Sequence, residues 1–322
     1  MTVLSNLESS GLDTSCIRKI SENGDSTRTA QYVALNDADK NLVVAMADMD
    51  IFTRPLSPEY ASSIIEAARP EWLVVDANWN SPAIETWLSV GRRNGAKTAF
   101  EPVSVAKSAR LFPASNKHQG IPVFPSALVD LATPNQYELE AMYHAAKENG
   151  YLDTPEWFDV IDAFGMRGAR DRFVKLSSTE MTDAGVPVQS VQLLPYIPTI
   201  ITKMGAKGVL LVSLLKKGDR RLFDHQAEAF ILVRSMGDHP DVGGIYMRHF
   251  PAVETVEDVV SVNGVGDTFL GVLTAGLAMG GKVEDLVDVA QKAAVLTLRS
   301  PSSVSEKLEE LKGELDAVSR RR

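Results

Sequence analysis

The chain has 322 residues, 44% hydrophobic and 23% charged, enough for one large α/β domain or two small ones. A formal net charge of -9 argues against nucleic acid as a main partner and leaves any polyphosphate binding to backbone amides or a metal. The lone Cys16 excludes an internal disulfide framework, no apolar run approaches the roughly 18 residues of a membrane span, and the start MTVLSNLESSG carries no signal pattern; a cytoplasmic protein without membrane attachment is expected.

In chain order, the first patterned segment is Ser26 to Asp50, STRTAQYVALNDADKNLVVAMADMD. It reads as two strands joined by the polar turn Asn36–Lys40. Such a hairpin forms either a small separate sheet, a candidate lid over residues 26–47, or an edge of the main sheet. Strand patterns follow at Asn41–Ala47, Glu71–Asp76, Lys97–Glu101, Ala127–Leu131, Thr199–Thr202, Val209–Ser213, Ala229–Val233, Ile245–Phe250 and Val259–Val262. Amphipathic stretches such as Pro58–Ala68 and Pro82–Asn94 lie between them. This alternation predicts an α/β fold with a mostly parallel sheet flanked by helices. Asn149–Pro187 reads as a helical insertion. The segment from Ser303 reads as a charged amphipathic helix in a solvated tail. No repeat or low-complexity linker divides the chain, so residues 1–322 are expected to form a single domain.

The densest chemistry lies in VVSVNGVGDTFLGVLTAGL, Val259 to Leu277. Gly264 and Gly266 permit a tight turn and close approach to the backbone, and a largely buried helix follows. Free amides at such a helix start form an anion site, and an aspartate among them, Asp267, can accept a proton from an attacking hydroxyl. The same residues also make a plain N-cap, and spacing alone leaves the two readings even. Asn135 and Glu138, three apart in TPNQYELEAM, suit Mg²⁺ held through water or an ordinary helix cap. ITKMGAKGVLL offers Gly205 and Gly208 in a strand-turn-strand pattern. GLAMGGKV at Gly276–Val283 imitates a phosphate loop but has Val where the hydroxyl belongs and ends a helix instead of following a strand. His118, His144, His225, His239 and His249 form no metal-ligand spacing.

Taken in order, Pro-Asn-x-x-Glu at Pro134–Glu138, Thr-x-x-Gly-x-x-Gly at Thr202–Gly208 and Asn-Gly-x-Gly-Asp at Asn263–Asp267 resemble the PfkB, or ribokinase-like, carbohydrate kinase family. Within it the chain is most similar to pseudouridine kinases, through SSGLDTSCI (Ser9–Ile17), DANWN (Asp76–Asn80), FEPVSVAKS (Phe100–Ser108) and AQKAAVLTLRSPSSVS (Ala290–Ser305). The resemblance implies a ribokinase-like fold and ATP-dependent phosphorylation of the 5′-hydroxyl of pseudouridine. It implies Asp267 as base, Gly264, Val265 and Gly266 as anion hole, and Asn135 and Glu138 for Mg²⁺. Thr202, Gly205, Gly208, Ala293 and Ala294 would border the nucleotide, and Asn78 would touch the nucleoside. Other nucleoside or sugar kinases of the family, and an inactive nucleotide-binding subunit, are the alternatives. Expected partners are the small-molecule nucleoside or sugar, a second copy of the chain, and a pseudouridine-phosphate glycosidase, fused or separate.

Two departures from the family pattern stand out. Ser261 and Val262 replace the usual Asp and Thr ahead of the turn, which weakens the case for a monovalent-cation site. The family's opening βα unit and its Gly-Gly substrate motif have no counterpart, so the kinase domain is expected to be N-terminally incomplete.

Overall fold

The computed structural model describes residues 3–9, 11–15, 17–18, 28–37, 42–53, 56–114, 121–166, 168–235 and 239–320. Cys16, Ser26, His118 and the hairpin turn at 38–41 lie outside them. The chain forms two compact units, Met1–Arg69 and Pro70–Arg322.

In the first unit, β1 (Gln31–Asn36) pairs antiparallel with β2 (Leu42–Asp48). These strands form a sheet of their own rather than an edge of the larger one. Tyr32, Val33, Leu35, Val43, Val44 and Met46 are all exposed on it. A helix at Pro58–Ala68 follows, its start fixed by Ser57, whose hydroxyl accepts from Tyr60 N, and by proline in its first turn.

The second unit holds a seven-stranded sheet in the order β3 (Trp72–Asp76), β4 (Lys97–Glu101), β5 (Leu131–Ala132), β6 (Thr199–Lys203), β7 (Val209–Lys216), β9 (Val242–Phe250) and β8 (Ile231–Arg234). The β3, β4, β5 and β6 neighbours pair in parallel, and β7 runs antiparallel to β6. With β9 antiparallel to β7 and β8 antiparallel to β9, five of the seven strands share one direction. The connection from Lys203 to Val209 is too short for a parallel crossover, which forces the β6–β7 reversal.

Strand alternation sorts the apolar side chains into two cores. Val75, Phe100, Ile200, Leu210 and Val212 pack with the helices at Ser81–Arg93, Gln136–Glu148 and Val186–Leu193. Ala99, Leu131, Ile201 and Leu211 pack on the other face with the helices at Val265–Ala278 and Val283–Leu298. The 149–187 region is helical, with helices at Pro155–Ala163, Arg170–Leu176 and Thr179–Asp183.

Three expectations need correction. The strand expected over Ala127–Leu131 is confined to Leu131–Ala132, because Leu128 spends its carbonyl on the Thr98 hydroxyl instead of a ladder. Val259–Val262 is not a strand. Among the described residues it has no strand neighbour, and the amides of Val260 and Ser261 donate to Leu298 O at 2.8 and 3.2 Å. The C-terminal segment is not a solvated tail: Leu315 and Val318 of its Lys312–Ser319 helix join the second core, and Lys292 pairs with Glu314 at 2.6 Å. Among the described residues no helix is long and apolar enough to cross a membrane.

Candidate active site

Parallel pairing lines up the carboxyl ends of β3 to β6 along one edge of the sheet, the edge where open α/β sheets bind ligands. The chain places a polar side chain at nearly every exit: Asp76 ends β3, Glu101 ends β4, Thr133 and Asn135 follow β5, and Lys203 ends β6. The start of the Val265–Ala278 helix comes to the same edge.

Gly264 is the N-cap of that helix, at φ 73° and ψ 1°, and its carbonyl accepts from Thr268 N at 2.8 Å. Glycine is required there twice over. The left-handed conformation disfavours a side chain, and a Cβ would stand 2.7 Å from the carbonyl carbon of Ser303. Val265, Gly266 and Asp267 fill the first helical positions, where backbone N–H groups have no partner within the helix, and among the described residues no side chain caps them. Asp267 is exposed and sits three residues past the cap, so the N-cap role falls to Gly264.

Beside this helix start opens a cleft of about 410 Å³. Its apolar wall includes Ala252, Val253, Val262, Val265, Phe269 and Leu298, and its floor includes Gly205, Gly208 and Lys203. Gly205, at φ 59°, has open space where a Cβ would point. At Gly208, φ 84°, a Cβ would lie 2.6 Å from Ala252 N, so this glycine lets two backbone segments touch. Ala294 lines the cleft, whereas Ala293 is fully buried and does not. Thr202 is also fully buried, and its hydroxyl has no hydrogen-bond partner among the described residues.

Asn135 and Glu138 build a capping box at the start of the Gln136–Glu148 helix. Asn135 Oδ1 accepts from the amides of Tyr137 and Glu138, both at 2.9 Å. Glu138 Oε2 accepts from Asn135 N at 2.7 Å. The second carboxylate oxygen of Glu138 takes no hydrogen bond from a described residue and remains as a hard donor. Among the described residues no three His, Cys, Asp or Glu side chains are grouped to hold a metal. A Mg²⁺ carried by a polyphosphate and kept in its own water shell fits such a sparse donor set; a metal held by the protein alone does not.

Sequence reasoning missed two residues. Glu101 is buried. Its Oε2 accepts from Thr133 Oγ1 at 2.8 Å, and its Oε1 lies 3.5 Å from Lys203 Nζ. Burial pushes its carboxyl well above the usual range; Lys203 and Thr133 oppose that shift, and Glu138 and Asp267 add to it. Lys203 also reaches the helix start, since a Cβ on Gly266 would lie 2.9 Å from its ammonium. Both residues sit inside quoted motifs, and each is a charged residue ending an apolar strand, which was the available signal.

Asn78 lies at the exit of β3, apart from the cleft lining. Its backbone N and its Nδ2 donate to Asp76, at 2.8 and 3.1 Å. Its Oδ1 accepts from Lys107 Nζ at 2.6 Å. Arg110 donates to the carbonyls of Ala77, Asn78 and Trp79. Burial and the neighbouring Arg110 depress the Lys107 ammonium below its usual range, against the pull of Asp76.

The stretch containing the glycine turn, residues 243–310, matches the model of the pfkB family carbohydrate kinases. The pseudouridine-metabolizing bifunctional protein of Schizosaccharomyces pombe is 28% identical over 288 residues, covering 88% of this chain and 35% of that one. A pseudouridine kinase of Arabidopsis thaliana is 26% identical over 302 residues, covering 88% of this chain and 71% of that one. Over residues 243–310 the chain is similar to the PfkB carbohydrate kinases. The chain spans about a third of the fission yeast relative's length. Its fold is ribokinase-like: the ribokinase of Cryptococcus neoformans, solved with ADP, superposes with a TM-score of 0.58 at 17% identity, over 97% of this chain and 78% of that one. The family match takes in the turn, Asp267 and the Ala294 wall of the cleft, while the exits of β3 to β6 lie outside it.

Proposed function

We propose that this chain transfers the γ-phosphoryl group of ATP to the 5′-hydroxyl of pseudouridine. The observation that carries the reading is a helix start with uncapped amides and an exposed carboxylate, Asp267, beside an apolar cleft of about 410 Å³. An adenine fits against Val253, Ala294 and Leu298, with Gly205 leaving room for the sugar-phosphate. The amides of the turn face the γ-phosphoryl oxygens, where charge accumulates during transfer, and preorganised donors lower that barrier.

Asp267 takes the proton of the acceptor hydroxyl as its oxygen bonds phosphorus. The bond from phosphorus to the bridging oxygen breaks on the opposite side, and its electrons leave with ADP. Mg²⁺, when bound with the polyphosphate, would supply charge neutralisation, and the second carboxylate oxygen of Glu138 would hold one of its waters. Pseudouridine as acceptor rests on the two relatives, one a pseudouridine kinase and the other a pseudouridine-metabolizing bifunctional protein. That second relative also motivates a glycosidase acting on the product, either fused or as a separate partner.

Incubating the chain with ATP, Mg²⁺ and a panel of pseudouridine, uridine, adenosine and ribose tests the reading. Label transferred to pseudouridine supports it. Transfer to ribose alone makes the chain a sugar kinase. Stabilisation by ATP without transfer to any acceptor makes it a nucleotide-binding subunit.

A further inference from the structure

We infer that Lys203 is a second arm of the anion site, donating to the transferred phosphoryl group, and that Glu101 is the positioning residue that holds the ammonium ready. This inference rests on the reading of the cleft as a nucleotide site.

Lys203 closes β6, and its side chain shares a face with Ile201, toward the Val265–Ala278 helix. Its ammonium lies between two features of opposite character. On one side is the Glu101 carboxylate, 3.5 Å away; on the other is the first turn of the helix, at Gly266. A cation beside free amides is an unfavourable arrangement unless an anion joins them. Lys203 also lines the cleft next to Val265, so an anion entering from the cleft meets the ammonium and the amides together.

The ion pair itself is ill suited to a purely structural task. At 3.5 Å it is longer than the roughly 2.7–2.9 Å of a charge-assisted hydrogen bond. Both side chains are largely removed from water, and a desolvated pair adds little stability over an apolar replacement. Glu101 is fixed from its other oxygen by Thr133, so its position does not depend on Lys203. An ammonium has three donors, and Glu101 accepts from one of them. The rest can serve a phosphoryl oxygen without breaking the pair. Glu101, held by Thr133, keeps the ammonium beside the helix start.

The test compares Lys203→Met and Lys203→Arg with wild type, using the full chain, by calorimetric binding of ADP and of a non-hydrolysable ATP analogue and by turnover. Lys203→Met should leave ADP affinity unchanged. It should weaken the analogue by about 10- to 100-fold, the worth of a hydrogen bond to a charged group. The turnover number should fall by about 10²–10³, the scale for loss of one anion-hole donor, and Lys203→Arg should recover part of it. Glu101→Gln should lower kcat with little change in KM for ATP, a split that simple loosening of the fold would not give. If Lys203→Met fails to fold, Gly266→Ala carries the test: its Cβ pushes the ammonium aside, and the analogue should lose its advantage over ADP. Unchanged analogue affinity and turnover in these variants, with wild type active, overturn the inference alone. A wild type that binds neither nucleotide overturns the nucleotide reading and this inference with it.

Discussion

Gly264→Ala separates the turn's geometry from its chemistry. The residue holds φ 73°, a conformation that costs an L-residue about 1–2 kcal/mol. The added Cβ also falls 2.7 Å from Ser303 C and 3.1 Å from Ser303 Cα, against backbone that has no rotamer to yield. Forcing a methyl into such a contact costs about 1–3 kcal/mol more. Together these predict a loss of about 2–5 kcal/mol. The assay is urea unfolding followed by tryptophan fluorescence, since Trp72, Trp79, Trp87 and Trp157 all report on the Pro70–Arg322 unit. The midpoint should fall at an unchanged slope. Gly266→Ala is the control, because its Cβ meets only the mobile end of Lys203 and alanine favours a helix by about 0.5–1 kcal/mol. It should match or exceed wild-type stability while losing turnover. A Gly264→Ala midpoint equal to wild type would refute the close-approach argument.

Leu315→Ala should cost about 2 kcal/mol, near the low end for a core leucine, as read by thermal or urea unfolding; no change would return the C-terminal helix to a solvated tail. Glu138→Gln keeps an oxygen for the capping box, so stability should hold while the Mg²⁺ concentration for half-maximal turnover rises; an unchanged metal dependence removes Glu138 from the site. For Glu101, whose carboxyl is raised by burial, the folded chain binds the proton more tightly than the unfolded chain. Its protonated form therefore stabilises at low pH, and that contribution is lost as pH rises from about 4.5 through the raised folded value. The melting temperature of Glu101→Gln relative to wild type should climb across that window, and a flat difference would contradict the burial argument.

Much of the sheet was legible because buried strands read as apolar runs: Lys97–Glu101 matches its expected span, and β3, β6 and β7 differ from theirs only at the ends. The Val259–Val262 run misled for the same reason, since valines favour a strand only where a neighbouring strand exists to pair with. The glycine turn was legible because left-handed backbone demands glycine, and Gly264 obeys that rule. Whether Asp267 capped the helix was not legible, because a shift of three residues along the chain looks alike in sequence. The Glu101–Lys203 pair was invisible for a different reason. The two residues are 102 apart in sequence, and only the parallel register of β4, β5 and β6 brings them together. The Asn135–Glu138 spacing was equally consistent with a cap and a metal site, and the geometry builds the cap while leaving one carboxylate oxygen free.

The most direct test of the central claim is phosphoryl transfer from γ-labelled ATP to pseudouridine by wild type and Asp267→Asn, with ADP affinity measured alongside. Transfer by wild type, a fall in kcat of about 10² or more in the variant, and equal ADP affinity are predicted. Equal turnover in the two proteins, or no transfer by wild type, would contradict the assignment of the 264–267 turn as a phosphoryl-transfer site.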